Sequence, residues 1–253
     1  MTGKVYLVGS GPGGTGLLTK RAREIIDTAD VILFDQLPGD DILSSLPEQA
    51  KKIDCGKYGG KHTLEQDEIE SLMIDSAGKG NVVVRLKGGD PFLFGRGGEE
   101  LESLRSAGIA VEVVPGISSA LAVPASVGIP LTHRKYASQV TIITGHEDPT
   151  KGDSALDWQI LAKSRGTIVV LMGVANLPMI ADALIRNGKD PETPVAVIER
   201  GLRKDRRVTV AKLHSVARIA VKNRVRAPAV IVIGHVVDLY DPSVEDLIPV
   251  DSG

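Results

Sequence analysis

The chain has 253 residues, 42% hydrophobic content and a formal net charge of −2 at pH 7, which suits one large domain or two smaller ones and argues against general nucleic-acid binding, though not against a local basic patch. Its single cysteine, Cys55, excludes an intramolecular disulfide, no Cys/His spacing offers a metal site, and aromatic residues make up only 3% of the chain. No apolar run approaches a membrane span and the opening MTGKVYLVGSG is too polar for a signal peptide, so the expectation is a cytoplasmic protein with no metal and with no membrane or nucleic-acid partner.

Apolar periodicity and turn residues predict alternating strands and helices. Lys4–Ser10 reads as a buried strand, Leu17–Ala29 as an amphipathic helix and Val31–Asp35 as a second strand. Thr63 is placed to cap a helix that runs to about Ala77, with Gln66 at the capping-box position. Asn81–Leu86 is a strand, Glu99–Ala107 a helix, Val111–Val114 a strand and Ser118–Val127 a helix. The polar stretch Thr132–Gln139 reads as a linker, which divides the chain into an N-terminal domain, 1–133, and a C-terminal domain, 134–253. The second half continues with strands at Val140–Thr144, Thr167–Met172, Thr193–Glu199, Arg206–Val210 and Pro228–Val237. Its helices fall at Trp158–Ser164, Asn176–Arg186 and Leu213–Asn223.

Two glycine-rich loops follow strands of the first half, at the sheet edge where α/β proteins hold ligands. The first, Gly9-Ser-Gly11-Pro-Gly13-Gly14, fits the G-x-G-x-x-G dinucleotide template, with Asp35 where a ribose-binding acid belongs. Pro12 is awkward there, because it removes a backbone N–H from a turn that must present such groups to a pyrophosphate. The second is Gly88-Gly89-Asp90-Pro91, followed by FGRGGEE at 94–100. Asp90 could accept hydrogen bonds from a ribose or an amino group, or simply set an Asp-Pro turn. Ser118 and Ser119 open a helix after a strand, a pattern that simple capping also explains. Acid/base candidates are Asp35, Lys57, His62, His133 and Arg134. Lys57, Lys61, Arg85, Lys87, Arg96, Arg134 and Lys135 concentrate positive charge in the loop-like segments of the first half, as a polyanionic ligand would require. Phosphate-loop, zinc-protease and nucleophile-elbow motifs are absent from the sequence.

Taken together, VYLVGSGPGG at 5–14, VILFDQL at 31–37, CGKYGGKHTLEQDEI at 55–69, RLKGGDPFLFGRGGEE at 85–100 and VPGISSALAVPASVGIPLTHR at 114–134 resemble the tetrapyrrole methylases. VVLMGV at 169–174, TPVAVIERG at 193–201 and PAVIVIGHVV at 228–237 extend the likeness over nearly the whole chain. Within that family the likeness is greatest to members that act on uroporphyrinogen III. The resemblance implies two α/β domains with S-adenosylmethionine in a cleft between them, a homodimer, and no fused dehydrogenase or synthase domain. It implies methylation of uroporphyrinogen III at positions 2 and 7 to give precorrin-2 through precorrin-1. It places Pro12, Gly88, Gly89, Asp90, Leu93, Ser118, Ser119, Met172 and Gly201 against S-adenosylmethionine, Asp35 as proton acceptor and Lys57 as proton donor. Ser119 departs from the family's usual alanine, and Leu202 from a frequent threonine. The difficulty with Pro12 disappears, since S-adenosylmethionine has no pyrophosphate. Alternatives are another precorrin methylase, a diphthine-synthase-like enzyme, a nicotinamide-dependent reductase built on the first glycine loop, and a non-catalytic sensor of S-adenosylmethionine.

Overall fold

The computed structural model describes residues 3–35, 37–58, 61–62, 64–147 and 154–243. The contacts of the chain divide it into two compact units, the first ending at Ser119 and the second beginning at Ala120. The segment 132–139, expected as a linker, is a turn of the second unit closed by a bridge between His133 and Ala137.

The first unit contains, in chain order, β1 (Lys4–Gly9), α1 (Lys20–Asp27), β2 (Val31–Phe34), α2 (Asp40–Ser44), β3 (Lys51–Asp54), β4 (Lys57–Tyr58), β5 (Lys61–His62), α3 (Gln66–Gly78), β6 (Val82–Lys87), α4 (Gly97–Ser106) and β7 (Ala110–Val114). Five of these strands form a parallel sheet in the order β3-β2-β6-β1-β7. Strand side chains alternate between the two faces. On one face Val8, Ile32, Val84 and Leu86 pack against Ala22, Ile25 and Ile26 of α1 and Ile42 of α2. On the other, Val5, Leu7, Leu33 and Val83 pack against Ile69, Met73 and Ala77 of α3 and Leu104 of α4. The spacing of Ile69, Met73 and Ala77 puts all three on one side of their helix.

Several boundaries differ from expectation for identifiable reasons. The expected helix over Leu17–Ala29 starts only at Lys20, because the Thr19 hydroxyl accepts from the Ala22 N–H at 3.1 Å and caps it. Thr15–Leu17 is instead a short 3-10 turn. Thr63 lies outside the described residues, and α3 is capped at Glu65, whose N–H donates to the Glu68 carboxylate at 2.7 Å. The strand β3 escapes apolar patterning because it sits at the sheet edge with Lys51 and Lys52 exposed, the usual protection of an open edge. The short α2 and the β4–β5 pair carry too few residues to show a period.

The second unit contains α5 (Ser119–Ser126, whose first residue belongs to the first unit), β8 (Val140–Thr144), α6 (Trp158–Lys163), β9 (Thr167–Leu171), α7 (Leu177–Arg186), β10 (Pro194–Glu199), β11 (Arg207–Lys212), α8 (Leu213–Lys222) and β12 (Ala229–Ile233). Its sheet runs β11-β10-β12-β9-β8, with only the β8–β9 pair parallel. Ile168, Val170, Val195, Val197, Ile231 and Ile233 pack on Ile180 and Leu184 of α7 and Val216 of α8. The expected strand to Val237 stops at Ile233, where Gly234 turns the chain at φ 144° into a 3-10 turn over His235–Leu239. Among the described residues no helix is long and apolar enough to cross a membrane.

A surface charge group ties β7 to β1 and α1. The Glu112 carboxylate accepts from Lys4 Nζ at 2.7 Å and from Arg21 Nη2 at 2.8 Å. Those two hydrogen bonds, that from Lys4 being the larger influence, hold its pKa below the ordinary 4.5. A depressed carboxylate contributes stability above its unfolded pKa and loses it as pH falls through the folded one. Urea midpoints should therefore fall more steeply with acidification below about pH 4.5 in the wild type than in Glu112→Gln. Parallel pH curves for the two proteins would refute this.

Candidate active site

In a parallel sheet every strand delivers its carboxyl end to the same edge, so β1, β2, β6 and β7 bring their following loops together. The loops are tied through their backbones. Ser10 N–H donates to the Lys87 carbonyl at 2.8 Å, and Gly11 and Gly89 exchange a pair of hydrogen bonds at 3.1 and 2.7 Å. Gly89 takes φ 67°, which favours glycine. A Cβ on Gly9 would lie 2.6 Å from Gly116 Cα, and one on Gly116 would lie 2.1 Å from the Gly89 carbonyl oxygen. Close backbone approach thus requires glycine at 9 and 116. Asp90 staples the same group, its Oδ1 accepting from Phe92 N–H at 2.9 Å and its Oδ2 from Gly116 N–H at 3.1 Å.

This geometry does not suit a dinucleotide. The template needs a helix N-terminus directly behind the third glycine to face a pyrophosphate, yet α1 begins six residues after Gly14. Pro12 in the first loop and Gly88 and Leu93 in the second are half-buried, with Phe92 and Phe94 exposed beside Leu93. Gly88 is closed on one side by Leu37, whose Cβ would lie 2.4 Å from an added Cβ. Ser118 is buried and Ser119 half-buried at the start of α5. Arg96 takes a left-handed φ of 59° ahead of α4 and pairs with Glu99 at 2.6 Å.

Met172 and Gly201 belong to the second unit and follow β9 and β10. Met172 takes φ 55° and is 51% exposed. A Cβ on Gly201 would lie 2.4 Å from Val123 Cγ1 of α5, so a larger residue is excluded there. Lys57 opens β4, and its side chain lies outside the described residues.

Asp35, just past β2, accepts from Leu37 N–H at 2.9 Å through Oδ1, and its Oδ2 lies 3.8 Å from Arg85 Nη2. Its side chain keeps 24% exposure. Behind it is an ionic group that sequence reasoning missed. Arg85 and Lys87, expected among the cations awaiting a polyanion, are buried within β6 and paired inside the protein. Arg85 Nε, Lys87 Nζ and Gln66 Nε2 all donate to Glu100 Oε1, at 3.1, 2.8 and 3.3 Å. Glu100 is fully buried on α4, and among the described residues its Oε2 has no hydrogen-bond partner. Two cations at alternate positions of an apolar strand face the same side, so VVVRLK itself called for a buried counter-charge.

Burial, helped by the neighbouring Arg85 charge and opposed by Glu100, pushes the Lys87 pKa down. A lysine with a lowered pKa binds fewer protons folded than unfolded, so its contribution to stability rises with pH up to the unfolded value near 10.5. Burial likewise pushes the Cys55 thiol up, against the pull of Arg85, which leaves it a poor nucleophile.

Residues 4–217 match the family model described as Tetrapyrrole (Corrin/Porphyrin) Methylases. A protein of Methanosarcina barkeri named S-adenosyl-L-methionine-dependent uroporphyrinogen III methyltransferase is 59% identical over 239 residues, 94% of each chain. The Siroheme synthase of Blochmanniella pennsylvanica is 47% identical over 94% of this chain, which spans 50% of that relative's length. Among solved structures, uroporphyrin-III C-methyl transferase from Thermus thermophilus complexed with S-adenyl homocysteine superposes with a TM-score of 0.81 at 40% identity. That match covers 94% of this chain and 100% of the other. With a sheet edge of interlocked glycine loops and a family match over most of its length, the chain belongs to the tetrapyrrole methylases.

Proposed function

We propose that this protein transfers methyl groups from S-adenosylmethionine to two pyrrole carbons of uroporphyrinogen III, positions 2 and 7, to give precorrin-2. The observation that carries the reading is Asp35, a partly exposed carboxylate facing Arg85 at the sheet edge that holds the interlocked loops of Gly9, Gly89 and Gly116. The likeness to the Methanosarcina and Thermus proteins supports the substrate and the donor.

The residues present fit the methyl donor. The loops bring backbone close to the edge, and Pro12, Gly88, Gly89, Asp90, Leu93, Ser118 and Ser119 would hold it there; Met172 and Gly201 are added to that set on the family resemblance. S-adenosylmethionine supplies a methyl group already activated by its sulfonium. The chain's task is alignment of a pyrrole carbon with that methyl and exclusion of water, and positioning of this kind can supply about 7–11 kcal/mol. The new carbon–carbon bond would take its electrons from the pyrrole as the S–CH3 bond breaks, its electron pair staying on sulfur so that S-adenosylhomocysteine leaves, and the methylated pyrrole must then shed a proton. Asp35 accepts it and Lys57 acts as proton donor. The same reading includes a homodimer and a reducing, cytoplasmic setting, consistent with the buried, unpaired Cys55.

The test is purified protein incubated with methyl-labelled S-adenosylmethionine and uroporphyrinogen III. Two labels per tetrapyrrole are expected. No label in the tetrapyrrole sinks the reading, and one label only would point to a different methylase.

A further inference from the structure

We infer that Glu100 is a positioning residue for methyl transfer, sorting the two buried cations so that Arg85, and not Lys87, stands against Asp35. The inference rests on the reading of Asp35 as proton acceptor.

The register of the sheet puts both cations within reach of the acid. Leu33 pairs with Arg85 and Phe34 with Leu86, so the next pair along the two chains is Asp35 and Lys87. Lys87 is nevertheless drawn away, its Nζ 2.8 Å from Glu100 Oε1. Arg85 is the cation within 4 Å of Asp35 among the described residues. Its Nε–H is anchored on Glu100 at 3.1 Å and its Nη1 on the Leu86 carbonyl at 3.4 Å. Those anchors turn the remaining Nη2 toward Asp35. A guanidinium held in this fashion is a fixed partner, whereas a released ammonium on a flexible stem would follow the nearest carboxylate.

The form of the contact argues against a purely structural role. Among the described residues, Glu100 places three donors on one oxygen and leaves the other, buried, with none. A cluster built only for stability would fill both oxygens, since an unsatisfied buried acceptor is destabilising. Apolar residues would also serve at least as well in this face, next to Leu104 and Ile69. Among the described residues, the charged and polar groups around the cluster are Asp35 after β2, Asp54 and Cys55 at β3, Arg85 and Lys87 on β6, Gln66 and Glu70 on α3, Arg96 ahead of α4 and Glu100 on α4.

Removing the Glu100 charge frees Lys87 to join Arg85 at Asp35. Two cations there favour the ionised acid and make it a weaker base. The experiment follows labelled methyl transfer to uroporphyrinogen III across pH in full-length wild type, Glu100→Gln and the double variant Lys87→Met/Glu100→Gln, with S-adenosylhomocysteine calorimetry as the measure of folding. In Glu100→Gln, kcat should fall about tenfold, KM for S-adenosylmethionine should stay within about twofold, and the acid limb of the kcat profile should move down by about one pH unit. The double variant lacks the wandering ammonium, so its acid limb should return to the wild-type position and its kcat to within about threefold. It also buries no unpaired charge, so it carries the test if the single variant fails to fold. A Glu100→Gln enzyme with wild-type kcat and pH profile overturns the inference. So does a double variant that binds S-adenosylhomocysteine normally yet shows no recovery of rate. A wild type that methylates no tetrapyrrole overturns the functional reading itself, and this inference with it.

Discussion

Asp35→Asn should lower methyl transfer to uroporphyrinogen III by about 10²–10⁴-fold while S-adenosylhomocysteine affinity stays within about twofold. The amide oxygen can still accept from Leu37 N–H, the 2.9 Å bond that sets the turn after β2, so the loop keeps its shape. What is lost is the ability to take up a proton and the negative charge that faces Arg85 at 3.8 Å. Single-turnover kinetics with labelled donor measure the effect directly. A variant within fivefold of wild type would show that the proton leaves to another acceptor.

Gly116→Ala should destabilise the fold by about 3 kcal/mol and weaken S-adenosylhomocysteine binding by at least about tenfold. The added methyl would sit 2.1 Å from the Gly89 carbonyl oxygen and 2.8 Å from Gly9 Cα. Both neighbours are backbone, Gly9 at the end of β1 and Gly89 in the loop after β6, and hydrogen bonds at 2.7–3.1 Å tie the two segments together, so no flexible side chain can swing clear. The β7 loop must instead back away and release Asp90. Gly98→Ala is the control. It lies in the first turn of α4 with nothing within 4 Å of the new methyl, and alanine there should leave stability unchanged or raise it by a few tenths of a kcal/mol. Urea denaturation of the two variants decides the matter. Equal midpoints would show that the loops yield at little cost.

The alternating strands and helices were legible because each has an apolar face long enough to show its period. The glycine loops after β1 and β6 were legible too, since glycine and Asp-Pro break a buried strand conspicuously. Their purpose was not. A local template takes Gly9, Gly11 and Gly14 for a dinucleotide turn, and only the position of Thr19, which starts α1 late, shows that no helix end faces that loop. Resemblance over the whole chain identified the family, which local pattern did not. Asp90 was legible as an acid in a ligand loop but not as the staple to Gly116, a contact across 26 positions of chain. The ionic group was hidden for a different reason. Arg85 and Lys87 look like surface charge in a sequence, and their counter-ion, Glu100, sits on another element in a run of glutamates whose burial depends on the rotation of α4. Strand β3 was invisible because it is only four residues long and opens on two exposed lysines, and the β4–β5 pair because two-residue strands are too short to show alternation.

The same ionic group bears on how the sheet assembles. Strand β6 lies at its centre, hydrogen-bonded on both sides, with Val84 and Leu86 on one face and Arg85 and Lys87 on the other. A slip of one residue during strand pairing would reverse those faces. Arg85 and Lys87 would then be driven among Ile25, Ile26 and Ile42 with no anion to meet them, a penalty of several kcal/mol. Two cations and one glutamate thus penalise a one-residue slip in an otherwise repetitive valine-rich strand, so that the group at the edge of the sheet also guards its register.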